Sequence, residues 1–351
     1  MNYKYMDQIY KIKNIQSMWD KYCLKNNDTL FNKDLMKISN HSQYYNPNIS
    51  LFLNKDGFSP DYEDNKKFSI VLTHDIDDIY LPFTHYPYLL TNFFSDKKIF
   101  LSQIKWIINK KNKPPYLNFK SIIDIEKNYG AKSTFFFFPP TDKIIRNIKN
   151  TYTPYNVLHF EKEIKTIIDL DFEIGMHTNY YSYNLLNKVL DEKIKLEEIT
   201  HKQILGVRNH FLRFDIPGSW ELLHKAGFEY DTTFGFSNSV GFKNGMCHPF
   251  IPYNLISKKF IPIMEFPLHI MDGALLKSVN YNFRKAWKIT KLMIDLTISC
   301  NGVLTILFHN DIFSSLYKSD WLKLYRKILD YSYEANGWLT NCISVYEKFV
   351  K

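Results

Sequence analysis

From Phe68 onward, short apolar runs alternate with amphipathic stretches, and several of the runs end on an acid or a histidine. Residues 68–73, 133–138, 172–176, 205–208 and 303–308 are rich in β-branched and aromatic side chains and too short for helices. They read as strands buried on both faces. Between them, residues 120–129, 160–170, 185–203, 216–226, 284–299 and 321–334 carry helical periodicity. Gly130 and Gly227 close the first and fourth of these, and Pro217 opens the fourth. Such alternation predicts an α/β fold, a distorted (β/α) barrel with parallel strands. Sites in folds of this kind gather at the carboxyl ends of the strands.

That rule picks out one set of residues. Asp75 and Asp77 follow the first strand, His177 the third, Arg208 and His210 the next, and His309 the last. Two carboxylates near a divalent metal can divide the work: one holds the ion, and the other takes a proton from water. A histidine just past a buried strand suits zinc, and one facing a leaving group can serve as a general acid. Each residue alone also fits a bland role, such as a helix cap, a turn or a hydrogen-bonded core histidine. Their recurrence at one end of successive strands carries the functional reading.

These stretches resemble the polysaccharide deacetylases, the fourth carbohydrate esterase family, which share the chitooligosaccharide deacetylase homology domain. The likeness is to a divergent branch from bacterial surface-glycan loci. It runs from Phe68 to Lys351 and rests on residues 72–77, 131–139, 174–182, 206–214, 227–236, 241–250, 265–275 and 307–310. The resemblance implies a metal-dependent deacetylase acting on an acetylated sugar or glycan; the lack of an export signal suggests a precursor substrate on a nucleotide or lipid carrier. It implies a divalent metal, zinc first, with nickel or cobalt as alternatives. Asp75 matches the catalytic base and Asp77 the metal-binding acid, although Ile76 separates them where the family has adjacent acids. His177 matches the first metal histidine. Arg208 matches an arginine on a loop after a strand, which would hold Asp75 ionised, and His309 matches the catalytic acid. Either Asp272 or Glu265 would be the acid that tunes His309. The family places a second metal histidine four residues after the first. Here that position is Tyr181, a poor zinc ligand, and His210 is the candidate for the third ligand.

Residues 1–65 are polar and weakly periodic, and they read as an N-terminal extension packed on a catalytic domain at 66–351. The 241–250 stretch reads as a substrate-facing loop in which Cys247 and His248 serve packing rather than metal binding, and His269 is read the same way. The cysteines at 23, 247, 300 and 342 have no CxxC spacing, which argues against a zinc knuckle or redox pair. The net charge of +9 comes from lysines spread along the chain. With no basic block and no nucleic-acid module, the chain is not expected to bind nucleic acid. No apolar run approaches the roughly 18 residues of a membrane helix, and the N-terminus lacks a signal-like core, so a cytoplasmic protein is expected. Two rival functions remain. Asp75-Ile76-Asp77 could be the metal-binding Asp-x-Asp of a glycosyltransferase, and the Tyr181 departure suits a non-catalytic glycan-binding relative on the same fold.

Overall fold

The computed structural model of the protein describes residues 46–80, 97–108, 114–140, 155–314 and 319–350. Residues 1–45 of the expected extension lie outside this set. In chain order the strands are β1 (Phe68–Ile76), β2 (Thr134–Phe137), β3 (Glu173–Thr178), β4 (Gly206–Asn209), β5 (Tyr230–Asp231), β6 (Tyr253–Asn254), β7 (Lys259–Phe260), β8 (Met264–Glu265), β9 (Leu268–Met271), β10 (Val303–Leu307) and β11 (Gly337–Thr340). The main sheet runs β8-β5-β4-β3-β2-β1-β10-β9, with β11 also paired to β1. Every pairing in it is parallel. β6 and β7 form a separate antiparallel hairpin.

β1 lies at the centre and is buried along its whole length. One edge pairs with β10; the other pairs with β11 along its first half and with β2 along its second. Successive side chains on a strand face opposite sides. Thr73 and Asp75 therefore point into the barrel with Arg208, while His74 points out toward the helix Phe119–Lys127.

The two ends of the sheet meet in one extended segment. β8 pairs with β5 and β9 pairs with β10, yet only two residues separate β8 from β9. Between them the Phe266 N–H donates to the Asp231 carbonyl at 2.8 Å, and the Leu268 N–H to that of Phe234 at 2.9 Å. The strands thus curl into a distorted, irregularly closed barrel, as the alternation predicts.

Two glycines make room for rings at its wall. A Cβ on Gly175 would lie 2.4 Å from the Phe136 ring, and one on Gly206 would lie 2.0 Å from that of Tyr230. Close packing tolerates no such overlap. At the amino ends of the strands, Glu173 accepts hydrogen bonds from Thr134 Oγ1 at 2.6 Å, from the Tyr230 hydroxyl and from the Ile343 N–H at 2.9 Å.

The helix Asn48–Lys55 packs Ile49 and Leu53 into the core. Its Ile49 N–H donates to the Gly245 carbonyl at 2.9 Å, and its Ser50 Oγ accepts from the Cys247 N–H at 2.9 Å. This corrects the expectation of a substrate-facing 241–250 loop. The Cys247 carbonyl accepts the N–H of Val303, the first residue of β10, at 2.6 Å. Cys247 and His248 are therefore buried near the amino ends of the strands, away from the acids of β1. Among the described residues no helix is long and apolar enough to cross a membrane.

Candidate active site

The site is assembled from the carboxyl ends of β1, β3, β4, β9 and β10. Asp77 follows β1, His177 is in β3, and His210 follows β4. The His177 Nδ1–H donates to the Arg208 carbonyl at 2.9 Å, which turns its Nε2 inward. That Nε2 lies 2.9 Å from His210 Nδ1 and 3.3 Å from Asp77 Oδ1. His210 Nδ1 is 3.7 Å from the same Asp77 oxygen. The Phe138 ring packs over both imidazoles, with centroids 4.8 and 5.0 Å away, and shields them from water.

The electrostatics suit cation binding. Burial works against ionisation of Asp77, but His210, His177 and His309 outweigh it and hold the carboxyl well below the usual carboxylate range. Burial pushes His210 down to about 3, against the pull of Asp77, so its ring is neutral near neutral pH. Asp77 Oδ1 is buried and accepts no hydrogen bond among the described residues. Two imidazole nitrogens and one ionised oxygen, all within 4.8 Å of one another, form a donor set for a divalent transition metal. The residues present fit such an ion.

Asp75 sits beside this cluster. Its Oδ1 accepts from Arg208 Nη1 at 2.8 Å, and its Oδ2 is 3.8 Å from His177 Nε2. Arg208 lies inside β4, not on the loop after it as the resemblance implied. Its guanidinium also donates to Thr73 Oγ1, to the Thr232 carbonyl and to Thr232 Oγ1, and it stacks 4.6 Å from the centre of the Phe136 ring.

Across the mouth, His309 Nε2 is 3.6 Å from Asp77 Oδ2. Its other ring nitrogen meets Asp272. The sequence left Asp272 and Glu265 as alternative partners, and the geometry separates them. Glu265 is occupied elsewhere, accepting from Trp220 Nε1 at 2.7 Å and from the Phe234 N–H at 3.2 Å. Burial disfavours the His309 imidazolium, but Asp272, Asp77 and Asp75 together raise it well above the ordinary histidine value. The structure thus brings Asp75, Asp77, His177, Arg208, His210, Asp272 and His309 to one end of the barrel.

No protein-family model matches the sequence, and no curated protein matches it. Solved structures do. One, described as a polysaccharide deacetylase from Mycobacterium smegmatis, aligns over 83% of this chain and 93% of its own at 16% identity and a TM-score of 0.53. The Puue allantoinase aligns over 89% of this chain and 95% of its own at 12% identity and the same TM-score. The chain has the polysaccharide deacetylase fold.

On this polysaccharide deacetylase fold, Tyr181 is turned outward. It is 43% exposed and stands edge-on to Tyr180, with ring centroids 4.9 Å apart. His210, by contrast, is buried beside Asp77 and His177. His269 is structural: its Nδ1 accepts from the Thr305 N–H and its Nε2 donates to the Met246 carbonyl, both at 3.0 Å. Burial lowers it to about 4. His248 is likewise held, between Ser50 Oγ and the Asn301 carbonyl.

Sequence reasoning missed two groups at the mouth. Burial raises the Asp311 carboxyl to about 7, opposed by the charge of His309 and reinforced by Asp272 and Asp77. Its place two residues past His309 was the available signal. Tyr155 is buried, and its hydroxyl accepts from the Phe138 N–H at 3.4 Å. Burial, and then the nearby Asp77, Asp78 and Asp75, raise its phenol well above the usual value. Tyr155 stands in a polar stretch with no periodicity, and nothing in the sequence pointed to it.

Proposed function

We propose that the protein is a metal-dependent hydrolase that removes an acetyl group from a sugar or glycan precursor. The carrying observation is the convergence of Asp77, His177 and His210 opposite the His309–Asp272 pair, with Asp75 held between them by Arg208. In this reading Asp77, His177 and His210 hold a divalent metal, zinc first, with nickel or cobalt as alternatives. Such an ion would polarise the acetyl carbonyl and make the attacking water more acidic.

The chain's own groups move the protons. Asp75 keeps Oδ2 turned to the cluster while Arg208 fixes Oδ1, so Oδ2 accepts the proton of the attacking water. Water oxygen bonds to the acetyl carbon, and the bond from that carbon to the sugar nitrogen or oxygen then breaks. His309, held protonated by Asp272, donates from Nε2 to the leaving atom. The products are acetate and a free amine or hydroxyl. Residues 66–351 form the catalytic domain in this reading, and residues 1–65 form an extension on it. The packing of Asn48–Lys55 against the core supports that division.

The test pairs elemental analysis of purified protein with acetate release from N- and O-acetylated oligosaccharides. About one zinc, nickel or cobalt per chain is expected in the wild type, lost in Asp77→Ala, His177→Ala and His210→Ala. Acetate release is expected to vanish in Asp75→Asn with the metal retained. A wild-type protein that takes up no metal and releases no acetate would sink the reading.

A further inference from the structure

Directly before Asp75, on the opposite face of β1, His74 is fully buried and joins two elements that the proposed chemistry needs in register. Its Nδ1 lies 2.7 Å from the carbonyl of Phe308, the residue preceding His309. Its Nε2 lies 2.9 Å from Glu126 Oε1, on the helix Phe119–Lys127. A carbonyl only accepts, so the Nδ1–H donates to Phe308, and Nε2 shares its hydrogen bond with the Glu126 carboxyl. Glu126 is itself fixed, accepting from Ser133 Oγ at 2.7 Å and from the Tyr325 hydroxyl. Phe135, Phe313 and Tyr325 surround the imidazole, with ring centroids 5.2 to 5.8 Å away.

A buried polar pair is weak evidence for stability, because desolvating both groups offsets their attraction. What this one does is geometric. The backbone ladder between β1 and β10 reaches the Phe308 N–H, which donates to the Thr73 carbonyl at 3.1 Å. The next acceptor along is the Phe308 carbonyl, and the His74 side chain supplies its donor. The β1 end that carries Asp75 and Asp77 and the β10 end that carries His309 are thereby tied one step beyond their last backbone bond.

We propose that His74, braced by Glu126, is a positioning residue that sets His309 against Asp75 and Asp77 through its hydrogen bond to the Phe308 carbonyl. The inference rests on the hydrolase reading for what it does to catalysis; the tie itself does not. His74 touches neither substrate nor metal in this account. Loosening it displaces His309 and leaves the ligands Asp77, His177 and His210 in place.

Two substitutions separate the two hydrogen bonds. Asn carries its amide nitrogen at about the reach of Nδ1, so His74→Asn keeps the bond to Phe308 and gives up the one to Glu126. Gln reaches as Nε2 does, so His74→Gln keeps Glu126 and gives up Phe308. Each removes one bond of a buried pair, so a merely structural role moves both alike. With His74→Gln, kcat for acetate release is expected to fall roughly 100-fold, since a displacement near 1 Å has that effect. KM and metal content are expected to stay at wild-type levels. His74→Asn is expected to keep kcat within about threefold, well inside that same effect. Amide hydrogen exchange gives a readout independent of activity. The segment bearing Phe308 and His309 is expected to exchange roughly tenfold faster in His74→Gln and at the wild-type rate in His74→Asn. Equal behaviour of the two variants, or wild-type exchange in His74→Gln, overturns the proposal. If the wild type neither binds metal nor releases acetate, the hydrolase reading falls while the exchange comparison still decides the tie.

Discussion

Asp272 holds His309 by two hydrogen bonds at once: its Oδ1 meets His309 Nδ1 at 2.7 Å, and its Oδ2 accepts the His309 backbone N–H, also at 2.7 Å. The ring is fixed in position, and its Nε2 is turned toward Asp77. Asp272→Asn keeps the shape and removes the charge that raises His309. In the proposed reaction kcat should fall by roughly two orders of magnitude, the range of a lost general acid, with little change in metal content. The pH dependence has a definite sign. A histidine raised by its partner contributes stability that is complete below its unfolded value and is lost as pH rises through the higher folded value. The stability advantage of the wild type over Asp272→Asn should therefore be flat below about pH 6 and shrink in the alkaline range. Chemical denaturation of both proteins at several pH values checks this, and an advantage that grows with pH would contradict it.

Arg208 gives a second test. It is fully buried and spends its guanidinium on Asp75, Thr73 and Thr232. Arg208→Met leaves Asp75 as a buried carboxylate without its cation, which should cost about 3–5 kcal/mol. Removing both charges in Arg208→Met/Asp75→Leu should cost less than the single change, because no lone charge is stranded. Urea denaturation of the three proteins measures the difference. A double variant less stable than Arg208→Met would show that the pair is a net stabiliser.

Much of this arrangement was legible because it rests on short strands buried on both faces. The runs ending at Asp75, His177 and His309 are apolar on both faces, and their ends mark the mouth. The closing segment was not legible. β8 and β9 are short and split by Phe266-Pro267, and their pairing partners lie at opposite ends of the sheet. β5 has two residues, too few to show a period. The choice of Asp272 over Glu265 was closed to sequence reasoning because both follow apolar residues. It is settled by which side chain Trp220 and Phe234 already occupy. The 241–250 loop was misplaced because its polar residues suit a solvent-facing mouth equally well. Burial against Ser50 and Asn301 is a tertiary fact.

Tyr181 stands where the resembled family has a histidine, and its exposure makes a prediction. A histidine at a position turned to solvent does not reach the cluster. Tyr181→His should leave metal affinity within about threefold, well short of the effect of adding a ligand in place. It should also fail to restore metal to His210→Ala. Equilibrium metal titration of the four proteins reads both outcomes. Recovery of metal in the double variant would mean that the loop can swing inward and that His210 is dispensable.

Glu173 gives a pH test far from the site. Burial raises its carboxyl from 4.5 to about 7, against hydrogen bonds from Thr134, Tyr230 and the Ile343 N–H that favour the ionised form. Between those two values the folded protein keeps a proton that the unfolded chain has released, so stability falls as pH rises across that window. The favourable contribution is complete below the unfolded value and gone above the folded one, with a slope on the order of 1 kcal/mol per pH unit between them. Glu173→Gln removes the titration and retains a carbonyl to accept from Thr134 and Ile343. Urea denaturation at pH 5, 6, 7 and 8 should show the stability of Glu173→Gln rising relative to the wild type up to about pH 7 and levelling beyond it. Parallel curves would mean that the carboxyl ionises alike in both states. Its three donors would then compensate fully for burial, and the amino end of the barrel would tolerate a charge that burial alone should exclude.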